Sequence, residues 1–557
     1  MAFKNLKKEG YIMKKIKRGS GILSEFIEER LNLINPCEVK ISILSEIKTF
    51  IDEAIIKEKR PLFVFTDYDV DGITSCVLAV KLFNEVYPEA ELYYRTPKRI
   101  SEGYGFNLKI LEEVPENAML ITIDNGIVAF DSIKAAKEKG CKVVVIDHHL
   151  GKEDGSLPDA DYLLDPNAIP GQSDFSEFCG CGLIYKLSQL YDLSESLEKE
   201  LRGIAALATI ADCVPLTGEN WKIAKDLRYA LINKGISYLA DLFEIYDFNE
   251  GDAGFKICPA LNAPGRLLDD GAMKAVEALL INPETAKELV DLNSQRKELT
   301  EQFFEEAIKL ISENGLDKKS AIAVVTSAPE GLVGIIAGRI AEKYMRPAFV
   351  FTRTEEGFLK GSARSYGSNH LKKMLDDASE LLIKYGGHAA AAGLSIEEEN
   401  FAEFEKTMDK LSIKDEDDTV FYDLTLSPYN IKDSIRISLN ELDEIAPFGE
   451  GNPEPLFYIE NVRLFPRGSN TYRLMGSEQQ HIKLYGKDFD IVWFGGASTY
   501  LEKPWSKINV IGKIGVNHFG GKDYYQVEAV YVEEAKPSLK ETNLQNLLNK
   551  RAKERYV

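Results

Sequence analysis

Residues 62–73 read LFVFTDYDVDGI: an apolar run, then Asp67, Asp69 and Asp71, then Gly72. Alternation along a strand places every second side chain on one face, so this spacing predicts three carboxylates converging at one strand end. Clustered anions repel unless a cation sits between them, and a divalent metal is the ordinary solution. The competing reading is a polar strand-to-helix turn in which Asp69 or Asp71 caps the next helix.

Three further apolar segments carry similar endings. KVVVIDHHL (142–150) ends in Asp147, His148 and His149, two of only six histidines in 557 residues. MLITIDNGI (119–127) brings Asp124 and Asn125, and IAALATIADCVPL (204–216) brings Asp212. In an open parallel α/β sheet the strand C-termini line one crevice, where ligands bind. The pattern therefore predicts a metal site fed by several strands. Mixed Asp and His donors suit Mn²⁺ or Mg²⁺, with histidine favouring Mn²⁺. About six ligands exceed the needs of one catalytic ion with open positions, so two carboxylate-bridged ions fit better.

This set of motifs resembles the DHH phosphoesterase superfamily, and the match runs beyond the Asp-His-His triplet. Downstream, LNAPGRL (261–267), EGLVGIIAGRI (330–340), GSARS (361–365), GGHAAAAG (386–393) and APFGEGNPEP (446–455) resemble its RecJ branch. That branch comprises single-strand-specific 5′-to-3′ DNA exonucleases. The resemblance covers about residues 45–535. It implies a metal-dependent hydrolase acting in DNA repair and recombination. Asp69, Asp71, Asp124, His148 and Asp212 match the family's metal ligands, with Asp124 bridging two ions. Short phosphatase relatives open the first motif with a histidine where this chain has Phe65, and Asp67 is assigned that vacancy. His149 is expected to face substrate, steadying the phosphate or protonating the leaving oxygen. Asp147 is expected to hold an imidazole in register behind the metals, with Asn125 also in that supporting layer.

Substrate contacts follow from the same resemblance. Asn262, Arg266, Ser362, Arg364, Gly386, Gly387 and His388 are expected to hold the 5′-terminal phosphate and neighbouring nucleotides. Arginine suits forked phosphate contacts, and a glycine pair at a helix start lets backbone approach an anion. Arg99 and Tyr104, in RTPKRISEGYG (95–105), are candidates for strand contact beside the metals.

The net charge of −21 excludes nucleic-acid binding over the whole surface, but binding needs only a local basic track. Residues 457–534 hold nine Lys/Arg against nine Asp/Glu and interleave them with fourteen aromatics, a pattern suited to base stacking. About two thirds of those aromatics are expected to fill a small barrel instead. No run of about 18 apolar residues exists, so no membrane span is expected. The basic N-terminus lacks an apolar core of the secretory type. Seven scattered cysteines fit a reducing, cytoplasmic setting. Cys179-Gly180-Cys181 is read as a tight structural turn rather than a metal motif.

The predicted fold class is α/β, in six parts. Residues 1–60 form an N-terminal helical region. Residues 61–271 form a parallel-sheet catalytic domain, with a segment helical in pattern over 197–245. Connecting helices follow over 272–317, including a long one from about 284 to 313. A smaller α/β substrate-binding domain spans 318–412, with a helix at 370–384. An acidic linker at 414–418 precedes an all-β, OB-like nucleic-acid-binding domain at 419–535, and 536–557 is a polar tail. Single-stranded DNA is the expected partner, with a single-strand-binding protein or a helicase beside it. Two alternatives remain. A DHH phosphodiesterase on short oligoribonucleotides or other small phosphates would lack the all-β extension. A non-catalytic replication scaffold would have lost ligands.

Overall fold

The structure is a computed structural model describing residues 14–19, 21–152, 154–413, 419–476, 478–519 and 522–535. The acidic stretch 414–418 and the tail 536–557 lie outside the described residues. The chain forms two compact units. Of the described residues, one takes those within 33–415 and 447–453; the other takes those within 1–32, 416–446 and 454–557.

The first unit is built on five parallel strands: β1 (Leu62–Thr66), β2 (Leu92–Arg95), β3 (Met119–Ile123), β4 (Lys142–Ile146) and β5 (Tyr162–Leu164). They pair in the order β2-β1-β3-β4-β5, all in parallel register. LFVFT and MLITI are buried at every position, as central strands covered on both faces must be. The order reverses between β1 and β3. The crevice at such a switch point, outside the strand C-termini, is where doubly wound sheets bind ligands. One face is covered by α1 (Val70–Val86), α2 (Gly180–Ser188) and α3 (Glu195–Ala211), whose apolar sides share one core with β1 and β3.

Two helices lead onward: α4 (Cys258–Leu267), with Pro264 inside it, and α5 (Ala286–Glu313). At 28 residues α5 is about 42 Å long. Its first turns, through Ala286 and Leu289, belong to the core of the parallel sheet. Its last turns, through Ala307 and Ile311, pack into a separate core with α6 (Glu330–Tyr344). Each end thus buries its apolar residues in a different core, which makes α5 a strut.

The second sheet runs β9-β10-β8-β7-β6, from β6 (Ile322–Val325), β7 (Ala348–Arg353), β8 (Leu359–Arg364), β9 (Lys384–Gly387) and β10 (Ala391–Ile396). Only β6 and β7 pair in parallel. The helix expected over 370–384 covers only Leu371–Asp376, followed by a short 3₁₀ turn. GGHAAAAG, expected at a helix start, is the tip of the β9–β10 hairpin. Alanine favours helix, but pairing with β8 along all of β10 overrides that local preference.

In the other unit, seven strands form one sheet, in the order 424–426, 457–463, 507–519, 522–534, 490–493, 481–485, 472–475. The stretch is not wholly β: helices occupy Ile431–Leu442 and Ala497–Glu502. Phe457, Tyr458, Phe489, Trp493, Tyr500 and Tyr525 are buried, while Tyr524 is exposed. The N-terminal region is not purely helical either. Lys14–Lys17 is a strand paired in parallel with Thr419–Tyr422, so it belongs to this unit. Its KKIK sequence has too few apolar residues to announce a strand; the partner strand supplies the hydrogen bonds.

Candidate metal centre and phosphate site

The acidic motif does not lie along β1. That strand ends at Thr66; Asp67 follows in the turn, Asp69 caps α1, and Asp71 sits in its first turn. The Asp69 carboxylate accepts the Gly72 N–H at 3.2 Å. The capping reading and the metal reading therefore describe the same residues. The turn is tight enough that a Cβ on Gly72 would lie 2.2 Å from the Asp67 carbonyl oxygen.

Asp124 follows β3 in the left-handed backbone region, at φ 61°. Such strain costs on the order of 1–3 kcal/mol and persists where surroundings over-determine it. Asp147, His148 and His149 follow β4. Asp212 arrives from the C-terminal cap of α3 rather than from a strand. These residues converge. Donor atoms of Asp67, Asp69 and Asp124 lie within 4.8 Å of one another, as do those of Asp71, His148 and Asp212, and those of Asp124, His148 and His149. His148 Nε2 stands 3.1 Å from Asp124 and 3.8 Å from both Asp71 and Asp212.

The electrostatics ask for a cation. Burial, then mutual repulsion, pushes the Asp67, Asp69 and Asp124 carboxyls above the ordinary range and Asp212 up to about 8. Asp67 Oδ1 is buried without a hydrogen-bond partner. An oxygen-rich donor set with an orphaned buried oxygen fits a divalent metal. Burial, helped by the charge of His149, lowers the His148 pKa, and neutral imidazole is the ligating form.

Asp147 is fully engaged. Its Oδ1 accepts the N–H groups of His148 and His149 at 2.8 and 3.2 Å, and His149 Nδ1–H at 2.7 Å. Its Oδ2 accepts the Ile127 N–H at 3.0 Å. This fixes the His149 ring, whose Nε2 lies 3.2 Å from the Tyr104 hydroxyl. Burial opposes charge on His149, but the bond to Asp147 and nearby carboxylates win, raising its pKa to about 9. Asn125 donates to the Ile123 carbonyl at 3.1 Å, while its Oδ1 has no partner.

Gly180 was not anticipated as part of the site. Cys179-Gly180-Cys181 is not a free-standing turn but the start of α2. The backbone N–H groups of Gly180 and Cys181 donate to Asp71 at 2.7 and 2.9 Å. A Cβ on Gly180 would meet Asp124 Cβ at 2.6 Å. The legible signal was a small residue between two buried cysteines.

Beside this cluster stands a group of arginines. Arg99 lies 4.5 Å above the Tyr68 ring, and the Arg99–Ser101 segment is clamped to Asp269, just beyond α4. Arg266 donates to the Gly331 carbonyl at 3.2 Å. Burial, and then the charges of Arg99, Arg296 and Arg364, lower its pKa to about 10. Arg364 Nη1 bonds Ser362 Oγ at 3.0 Å. Arg296, on α5, was also not anticipated; its Nε is buried without a partner. Arg266 thus lies within the electrostatic reach of three other guanidiniums, a grouping whose chemistry suits an anion. Gly386, Gly393 and Ser362 lie in one cross-strand row, and nothing crowds the position above Gly386. Gly387 sits next along β9, and His388 is exposed at the hairpin turn, its N–H bonded to the Ala391 carbonyl. Asn262 lies on α4, its Oδ1 buried without a partner.

Comparison with known proteins agrees with this architecture. Residues 61–211 match the DHH family N-terminal domain, 317–413 the DHHA1 domain, and 422–531 the RecJ OB domain. The single-stranded-DNA-specific exonuclease RecJ of Bacillus subtilis is 30% identical over 84% of this chain; the match spans 60% of that relative's length. RecJ of Haemophilus influenzae is 30% identical over 85% of this chain and 88% of its own. The crystal structure of Thermus thermophilus RecJ in complex with Mn²⁺ superposes with a TM-score of 0.75 at 24% identity, covering 94% of this chain and 80% of that one. With all three domain models met in order and a relative matched along nearly its whole length, this chain belongs to the RecJ family.

Proposed function

We propose that this protein is a metal-dependent exonuclease that hydrolyses single-stranded DNA to mononucleotides in the 5′-to-3′ direction, in DNA repair and recombination. The observation that carries this reading is the convergence of three overlapping donor triads beside an arginine cluster. Asp67, Asp69, Asp71, Asp124, His148 and Asp212 would hold two divalent ions, Mn²⁺ or Mg²⁺, with Asp124 shared between them. When bound, such ions supply a hydroxide nucleophile near neutral pH and offset charge on the phosphoryl oxygens.

The chain's own groups do the rest. The α2 N–H groups donate to both oxygens of Asp71, so its carboxylate is pre-positioned. Asp147 keeps His149 charged and oriented, presenting a proton to a phosphate or leaving oxygen. Arg266, Arg364 and Ser362, with Arg99 and Arg296, receive the 5′-terminal phosphate. Asn262, Gly386, Gly387 and His388 are the proposed lining for the adjacent nucleotide. Tyr104, exposed and bonded to His149, is placed to meet the strand.

A terminal-phosphate pocket next to the metals sets polarity, because the cut is counted from the 5′ end. The β-rich unit is proposed to track the strand beyond the cut, with Tyr524 as a stacking surface. Its presence favours a nuclease over a small-substrate phosphodiesterase, and the retained donor set argues against a scaffold. A helicase or single-strand-binding protein would supply the single strands. A cytoplasmic setting accords with seven free cysteines, and among the described residues no helix is long and apolar enough to cross a membrane.

The test uses oligonucleotides labelled at either end, single- and double-stranded, with Mn²⁺ or Mg²⁺. Labelled mononucleotide should leave first from the 5′ label of single strands. Early release from the 3′ label, or equal cutting of duplex, would reject the reading.

A further inference from the structure

The motif APFGEGNPEP has no part in the chemistry above, yet its core is placed unlike its flanks. Residues Pro447–Pro453 cluster with the catalytic unit, while the chain on either side clusters with the β-rich unit. The segment folds back on itself: Gly449 and Asn452 exchange backbone hydrogen bonds at 3.0 and 3.3 Å, and the fully buried Asn452 donates Nδ2–H to the Pro447 carbonyl at 2.9 Å. Glu250 fixes one side by accepting the Phe448 N–H at 3.0 Å.

Its other side meets the residues that follow Asp212. The Leu216 N–H donates to the Glu450 carbonyl at 2.7 Å. A Cβ on Gly451 (φ +69°) would lie 3.1 Å from Pro215 Cβ, and one on Gly449 would lie 2.8 Å from Leu216 Cδ1. Asn220 Nδ2–H also donates to the Pro215 carbonyl at 3.1 Å. This matters because Asp212 is the C-terminal cap of α3, and Cys213 then turns the chain through the left-handed region at φ 55°. A residue at a helix end frays unless the chain beyond it is held.

We infer that Pro447–Pro453 is a positioning element for Asp212, holding Val214–Thr217 so that the carboxylate stays within reach of His148 and Asp71. The inference rests on reading Asp212 as a metal ligand. The segment touches no substrate group in this role. It makes the metal site depend on a stretch of chain more than 230 residues downstream of Asp212, threaded in from the sequence of the β-rich unit.

The test is Gly449→Ala in the full chain, with the Gly449→Ala/Leu216→Ala double variant as rescue and Gly451→Ala as an independent second perturbation. Mn²⁺ binding is read without DNA, from the electron paramagnetic resonance signal of free ion. Supporting a ligand from behind is worth roughly 10–100-fold in metal affinity, so the weaker Mn²⁺ site should loosen about tenfold in each single variant. Trimming Leu216 should restore it to within about threefold, because the clashing atoms are removed. Single-strand affinity in EDTA, and circular dichroism, should match wild type. Unchanged Mn²⁺ binding in both folded single variants would overturn the inference. So would loss of strand affinity with Mn²⁺ binding intact, which would place the segment on the strand path. Wild type that neither binds Mn²⁺ nor cleaves would instead overturn the metal reading beneath it.

Discussion

Replacing Gly180 by alanine probes the site where it is least able to yield. The added Cβ would stand 2.6 Å from Asp124 Cβ and 2.9 Å from Asp124 Cα, where carbon atoms rest at about 3.5–4.0 Å. Roughly 1 Å of room must therefore open. If α2 retreats, the two N–H bonds to Asp71 lengthen from 2.7 and 2.9 Å, and bonds of this kind to a charged group are worth about 1.5–3 kcal/mol each. If Asp124 retreats instead, the shared carboxylate leaves its partners. A 1 Å displacement of a positioned group costs on the order of 10²-fold in rate. Overpacking costs about 1–3 kcal/mol, so Tm should also fall by a few degrees. The assay is single-turnover release from a 5′-labelled single strand at saturating Mn²⁺, with a thermal melt alongside. Cys179→Ser, which keeps the cap of α2, should stay within about threefold of wild type. A folded Gly180→Ala enzyme within threefold of wild type would refute the claim that this contact sets the site.

Asp124→Ala should abolish hydrolysis yet leave the fold intact, and should largely erase the stabilisation by Mn²⁺, which is about 2.7 kcal/mol at a hundredfold excess over Kd and is read as a Tm shift; turnover within tenfold of wild type would sink the shared-ligand assignment. The His149 pKa is raised to about 9, so its charged form and the stability it lends are fully present below the unfolded value near 6.5 and are lost as pH climbs through 9. The alkaline limb of the Mg²⁺ rate profile should therefore move to lower pH in Asp147→Asn, and an unmoved limb would exclude His149 as the titrating group. Arg296→Leu removes a guanidinium whose Nε has no partner; single-strand affinity should fall, and its salt slope should shrink by about 0.7, whereas an unchanged slope would show that Arg296 meets no phosphate.

Much of the candidate site was legible because its chemistry is concentrated in short motifs. Asp67, Asp69, Asp71, Asp124, His148 and Asp212 each close an apolar run, and burial of those runs forces their ends together. The way they are delivered was less legible. Period-two spacing put the three aspartates on a strand, but β1 stops at Thr66 because the turn into α1 begins at once, and Asp69 serves as its cap. Asp212 caps a helix and does not end a strand: Ile204–Ala211 is apolar except for Thr209, so the run alone fits either conformation, and the helical pattern that flanks it decides. The GGHAAAAG hairpin was misread because strand pairing, unlike helix formation, depends on a partner distant in sequence.

The sequence by itself determined the parallel α/β core, the candidate metal donors, the family and the presence of a β-rich module, because burial patterns and donor chemistry are local properties of the chain. Only the tertiary structure decided which groups support them. The α2 N–H groups on Asp71 and the hold of Pro447–Pro453 on the residues after Asp212 join positions some 100 to more than 200 apart. Backbone N–H and carbonyl groups carry no mark in a sequence, and a glycine that matters through the Cβ it lacks looks like any other glycine. Their roles exist only once packing brings distant segments to within 3 Å of one another.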